Sequence, residues 1–176
     1  MKNYLIPLIL IFNLLIFNFV NAETKITYLD LDKVLVKSLA GKSINDSIFA
    51  LQKKNSESFI KDEKKIIDTE KQILSQKNVL EKEEYEKKVL SFKKDINTYN
   101  SKKTKIIKAT NSKRLNATSK LLKILNPLLA KYSTENSIGM IVQKKNIIIG
   151  KKELDITDDI LKIVNQNMKK IKITND

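Results

Sequence analysis

Residues 96–134 carry nine basic side chains, Lys102, Lys103, Lys105, Lys108, Lys113, Arg114, Lys120, Lys123 and Lys131, and no carboxylate. The 39 residues before them, 57–95, hold ten acidic and ten basic groups that cancel. Most of the net charge of +14 therefore lies on one stretch. A long cationic surface attracts negative partners at a distance; the plainer alternative is a solvated lysine face in a chain rich in Lys, Asn and Ile. Catalytic chemistry is poorly supplied. There is no His and no Cys, and the paired acids Glu83 and Glu84 stand in a polar run with no base or nucleophile beside them. Ala40-Gly41-Lys42-Ser43 has the ending of a phosphate-binding loop, but Val36 stands where the first glycine belongs. No enzyme, catalytic residue, cofactor or metal is expected.

The basic stretch belongs to a longer tract. Between Gly41 and Pro127 lie 85 residues without Gly or Pro, rich in Lys, Glu, Gln, Leu and Ile, which favours helix throughout. Apolar residues recur every seven: Phe59, Ile66, Ile73 and Leu80, with Ile60, Ile67 and Leu74 beside them. After Leu80 the frame jumps by five to Tyr85, Phe92, Tyr99 and Ile106, with Val89 and Ile96 between. A seven-residue step returns a side chain to one face, the seam of a coiled coil. The break in phase predicts two antiparallel arms over 44–127 with a tip near 75–84; a continuous coiled coil with a stutter is the other arrangement it allows. Tyr85, Phe92 and Tyr99 are expected in the seam. The polar seam positions Glu63, Glu70 and Lys77 leave the oligomeric state open.

Residues 23–43 and 128–176 remain for a compact body with strands and short helices. Lys25–Leu31 reads as a strand. Asp32 is expected to cap a short helix that Gly41 closes, and Ser43 with Asp46 to open the long arm. Asn126-Pro127 is expected to kink or end the returning helix. Residues 139–143 and 146–149 read as a β-hairpin turning at Lys144-Lys145. Thr157 is expected to cap a last helix, with Asp158 and Asp159 in its first turn. The fold class is α+β, mostly α: a long antiparallel helical hairpin of coiled-coil arms projecting from a small β-rich body where copies would associate. So little core is marginal in one copy, and oligomerisation is the usual remedy.

Met1–Ala22 has the make-up of a secretory signal, with Lys2, the apolar run Tyr4–Val20 and Val20-Asn21-Ala22 as the cleavage site. An exported chain would not meet nucleic acid, and arginine clusters and basic aromatic platforms are missing too.

Ile26-Thr27-Tyr28-Leu29-Asp30, Ser38-Leu39-Ala40-Gly41-Lys42, the charged heptad tract, Leu125-Asn126-Pro127, Ile138-Gly139-Met140-Ile141-Val142 and the closing Leu154-Asp155-Ile156-Thr157-Asp158-Asp159-Ile160 occur in an order that resembles the Skp family of OmpH-like periplasmic chaperones. The resemblance covers essentially all of the chain after Ala22. It implies a periplasmic homotrimer with a β-barrel-like body and three hairpin arms around a cavity. It also implies an ATP-independent holdase for unfolded outer-membrane proteins. Clients would meet the basic arm at Lys102, Lys103, Lys105, Lys108, Lys113, Arg114, Lys120 and Lys123. Some members are proposed to contact lipopolysaccharide through a basic cluster on the arms; Lys113-Arg114 is the one Lys-Arg pair here, with solvated helix surface as the plainer reading. An anionic membrane surface would suit the same charge. The runner-up function is a cell-envelope coiled-coil adaptor binding one folded partner.

Overall fold

The computed structural model describes residues 24–173. The expected signal segment lies outside them. Strand β1 (Lys25–Leu29) leads into helix α1 (Leu31–Lys37), then α2 (Leu39–Ser75), α3 (Lys82–Glu135), strand β2 (Ile138–Gln143) and a last helix α4 (Thr157–Asn167). Two 3-10 turns, Lys144–Asn146 and Lys152–Leu154, stand between β2 and α4.

The helices α2 and α3 form the hairpin. At about 1.5 Å per residue they run roughly 55 Å and 80 Å, joined through residues 76–81. β1 and β2 are parallel, with Ile26 opposite Met140, Thr27 opposite Ile141 and Tyr28 opposite Val142. Parallel strands need a long crossover, and here the whole hairpin serves as one. The core gathers Leu29, Val34, Ala40, Ile44 and Ile48 from the first half of the chain. Ala117, Leu121, Leu125, Ile156, Ile160, Val164 and Ile171 complete it. The bases of both arms are thus packed into the body, while the distal arms have only each other.

Local capping departs from the sequence reading at several points. Asp30, not Asp32, caps α1, its carboxylate accepting the Lys33 N–H at 2.8 Å. Ser38 ends α1 and caps α2, with its hydroxyl accepting the Gly41 N–H at 3.0 Å. The long arm therefore begins before Ser43, and Gly41 lies inside it. A Cβ on Gly41 would fall 1.9 Å from the Leu35 carbonyl oxygen, so glycine is what lets α2 cross α1 so closely.

Pro127 does not end the returning helix, which continues to Glu135. Its ring is exposed, so the carbonyl it leaves without a helical donor is on the solvent side, and Leu128, Leu129 and Tyr132 hold the last turns onto the core. Residues 146–149 are not a strand. Lys144–Asn146 make a 3-10 turn, and Ile148 and Ile149 are 98% and 92% exposed. A two-residue hairpin wants residues tolerant of positive φ, which Lys144-Lys145 does not supply. The body is therefore not β-rich as expected: among the described residues its strand content is one two-stranded sheet plus a bridge between Tyr28 and Asp155, and helices supply most of its core.

Thr157 is the first residue of α4 rather than its cap. Ile156 is the cap residue, and Asp155 just before it accepts the Thr157 N–H at 3.0 Å and pairs with its hydroxyl. The Thr157 hydroxyl oxygen also accepts the Asp30 N–H at 2.9 Å, tying α4 to the start of α1. Burial raises the Asp155 carboxyl, but hydrogen bonds from Lys144 and Thr157 outweigh it, and the net shift is downward.

Candidate interaction surface of the helical arms

The seam between the arms is built as the heptads require. Phe59, Ile66 and Ile73 from α2 and Leu80 from the connection line the seam with Tyr85, Val89, Phe92, Ile96, Tyr99 and Ile106 from α3, all half-buried, as two helices alone allow. Near the base a polar layer interrupts it, where the Asn55 amide donates to the Thr110 hydroxyl at 3.1 Å. Near the tip the Lys88 ammonium donates to Gln76 at 2.8 Å. The column Ile60, Ile67 and Leu74, read as riding beside the seam, is outside it at 62%, 49% and 58% exposure.

Midway along the arms the charges interlock. Asp62 takes Lys102 at 2.7 Å, and Glu63 takes Lys103 at 2.8 Å and the Tyr99 hydroxyl at 2.5 Å. The Lys103 ammonium also lies 5.5 Å from the ring centres of Phe59 and Tyr99. These contacts shift the groups concerned. Lys102 holds the Asp62 carboxyl below its ordinary range. Lys103, then Tyr99, do the same to Glu63. Lys103 is raised chiefly by Glu63, and Tyr99 by burial and then by Glu63.

The predicted basic surface is therefore not uniform. Lys102 and Lys103 are engaged across the seam, and Arg114 donates to the Asn45 side-chain oxygen at 3.0 Å. Lys105 lies with Lys94, Thr98 and Lys102 in a shallow groove on one flank of α3. Lys108, Lys120 and Lys123 are exposed. Lys113 faces a second groove, shared with Lys170 and Lys172 and floored by Leu51 and Ile171. Lys113 thus lines this groove while Arg114 reaches Asn45. Sequence reasoning missed the Glu63–Tyr99–Lys103 cluster; the signal was an acid and a lysine at matching seam-edge positions on opposite arms.

Among the described residues no group of three or more His, Cys, Asp or Glu is arranged to hold a metal ion, and no helix is long and apolar enough to cross a membrane.

This architecture has relatives. Residues 25–164 match the family of outer membrane proteins described as OmpH-like. No curated protein matches the sequence. Among solved structures, a Caulobacter crescentus CB15 protein assigned as an OmpH-like outer membrane chaperone superposes with a TM-score of 0.77. That match covers 85% of this chain and 88% of the other at 13% identity, a likeness of fold. With the family match spanning most of its length, the chain belongs to the OmpH-like outer membrane protein family.

Proposed function

We propose that the protein is a chaperone of outer-membrane proteins. In this reading it is an ATP-independent holdase that binds unfolded β-barrel chains between helical arms in the periplasm and keeps them from aggregating before membrane insertion. The observation that carries this is the distal hairpin. Tens of ångströms of α2 and α3 extend past the core, held only to each other, with lysines and apolar side chains left on the outside. Such a surface offers many weak contacts and long-range attraction rather than one shaped pocket, which suits clients without a fixed structure. Membership of the OmpH-like family supports the same reading.

A homotrimer is part of the proposal. The cross-strand neighbours Ile26 and Met140 are 52% and 56% exposed, and Ile148 and Ile149 extend the apolar surface of the body. Contact between copies would cover it. Lys105, Lys108, Lys120 and Lys123 would supply the long-range attraction, and the groove at Lys113 would suit an anionic lipid headgroup.

The test is dilution of a urea-unfolded outer-membrane β-barrel protein into buffer without ATP, with and without this protein, followed by light scattering. Suppression near three chains per client is expected. No suppression by the folded protein would overturn the holdase reading in favour of an envelope adaptor with one folded partner.

A further inference from the structure

Residues 168–173 are neither helix nor strand, and they lie past the residues 25–164 that match the family. They are part of the packing all the same. Ile171 is 6% exposed and belongs to the core cluster, with Met168 and Ile173 packed against it.

This tail leaves α4 sharply and returns to the root of the arm. Helix α4 ends at Asn167, and Met168 turns into extended backbone at φ −146° and ψ 113°. Two hydrogen bonds then fasten the end of α4 and the tail to the first turns of α2. The Leu39 N–H, a donor that a helix start leaves without a partner inside the helix, donates to Asn165 Oδ1 at 2.7 Å. One turn further along α2, Ser43 Oγ accepts the Ile171 N–H at 3.0 Å and itself donates to the Ala40 carbonyl at 2.9 Å. Ser43, Ser47 and Leu51 stand four apart and so share one face of α2. Ile171 and Ile173 line a groove with Ser47 and Leu51 and with Lys113 of α3. The tail therefore crosses the place where both helices of the arm leave the body.

The fastening is slight for a segment that reaches the core. Past Met168, the bond from Ile171 to Ser43 is the tail's one hydrogen bond among the described residues. Ile171 is its one buried side chain, and Lys169, Lys170 and Lys172 beside it are exposed. Ile160 and Val164, both at 0% exposure, are held by the helix α4 as well as by the core. A segment with few buried contacts and no helix or ladder opens at lower free energy than the body beneath it.

We propose that residues 168–173 act as a latch on the root of the arm. Closed, the latch ties α2 and α3 to the body where they leave it and holds the hairpin at one angle. Released, it takes Ile171 away from the first turns of α2, and the hairpin tilts at its root while α4 and the seam stay folded. The two states are a local equilibrium of the folded chain. The inference does not depend on what the arm binds.

The test uses the full chain as wild type, Ser43→Ala and Ile171→Ser. The first variant removes the acceptor of the Ile171 N–H and keeps a good helix former; the second removes the buried anchor. Amide hydrogen exchange reads the latch, and the distance between two spin labels reads the arm. The chain has no cysteine, so Lys61→Cys on α2 and Lys162→Cys on α4, both exposed positions, carry the labels in each form. An excess of unlabelled protein keeps every measured pair within one chain. In the wild type the Ile171 amide is expected to exchange at least about tenfold faster than those of Ile160 and Val164. Ser43→Ala should speed it about fivefold further. Ile171→Ser should widen the distance distribution while Ile160 and Val164 stay as protected as before. Equal protection of Ile171 and Ile160 in the wild type overturns the inference, because the tail then opens only with the body. An unwidened distribution in Ile171→Ser overturns it too. So does widening that comes only with lost protection at Ile160 and Val164, or failure of that variant to fold, either of which makes the tail a fixed part of the core.

Discussion

Tyr99 donates its hydroxyl proton to Glu63 at 2.5 Å across the seam, and Lys103 completes the group from the next turn of the same helix. Two long helices held only to each other are here pinned midway by this group beside the Asp62–Lys102 pair. The Glu63 carboxyl is held below its ordinary value of 4.5, first by Lys103 and then by Tyr99. A depressed carboxyl stabilises the folded hairpin fully above its unfolded value and loses that contribution as pH falls through the lowered folded value. Arm pairing should therefore be insensitive to pH near neutrality and loosen below about pH 4.5. Amide exchange of residues near 63 and 99 as a function of pH checks this. In Glu63→Gln the acid-side change should shrink, with only a slight fall in melting temperature, because the cluster is solvated.

Gly41→Ala should destabilise the protein, although alanine is the better helix former by about 1 kcal/mol. Its Cβ would meet the Leu35 carbonyl oxygen at 1.9 Å, and a backbone atom cannot swing aside as a side chain would. Separating α1 from α2 would open the packing around Ala40, Ile44 and Val34, so a loss of about 2 kcal/mol or more is expected in urea unfolding. An unchanged midpoint would show that the crossing relaxes freely.

The hairpin was legible because its signal is repeated: the series from Phe59 and from Tyr85 each state the same face four times, and the jump after Leu80 separates them. Which of two adjacent columns faces the partner was not legible. Phe59 and Ile60 have the same seven-residue spacing, and only the position of α3 puts the first in the seam and the second outside. The run 146–149 failed for a related reason, since an apolar tetrapeptide reads alike whether it pairs within its own chain or stands exposed. Nine basic groups could be counted, but the engagement of Lys102, Lys103 and Arg114 depends on the register between arms, which sequence spacing alone does not give.

Leu121 and Leu125 are each 1% exposed where α3 enters the body, packed in one cluster with Ile48, Ile160 and Val164. Leu121→Ala should cost about 3 kcal/mol through lost burial and the cavity left behind. Leu90→Ala, at a position 70% exposed on the same helix, should change stability by less than about 0.5 kcal/mol. Chemical unfolding of both at one fixed protein concentration makes the comparison, since any assembly adds a concentration-dependent term. Equal losses would mean that the distal arm is packed against something a single chain does not contain.

Ile148 and Ile149 are nearly fully exposed, beside a sheet whose Ile26 and Met140 are exposed too. Two adjacent isoleucines left in water are unfavourable by a few kcal/mol relative to burial, and the body of a single chain offers them no strand to pair with. Association through this surface would remove them from water and cover the open side of the two-stranded sheet. Ile148→Ser/Ile149→Ser should therefore lower the mass measured by sedimentation at micromolar concentration, while circular dichroism stays close to wild type because the helices carry that signal. Client binding should weaken with it, since linked arms bind through their summed contacts. A variant that keeps both its mass and its affinity would move the contact between copies away from residues 147–149.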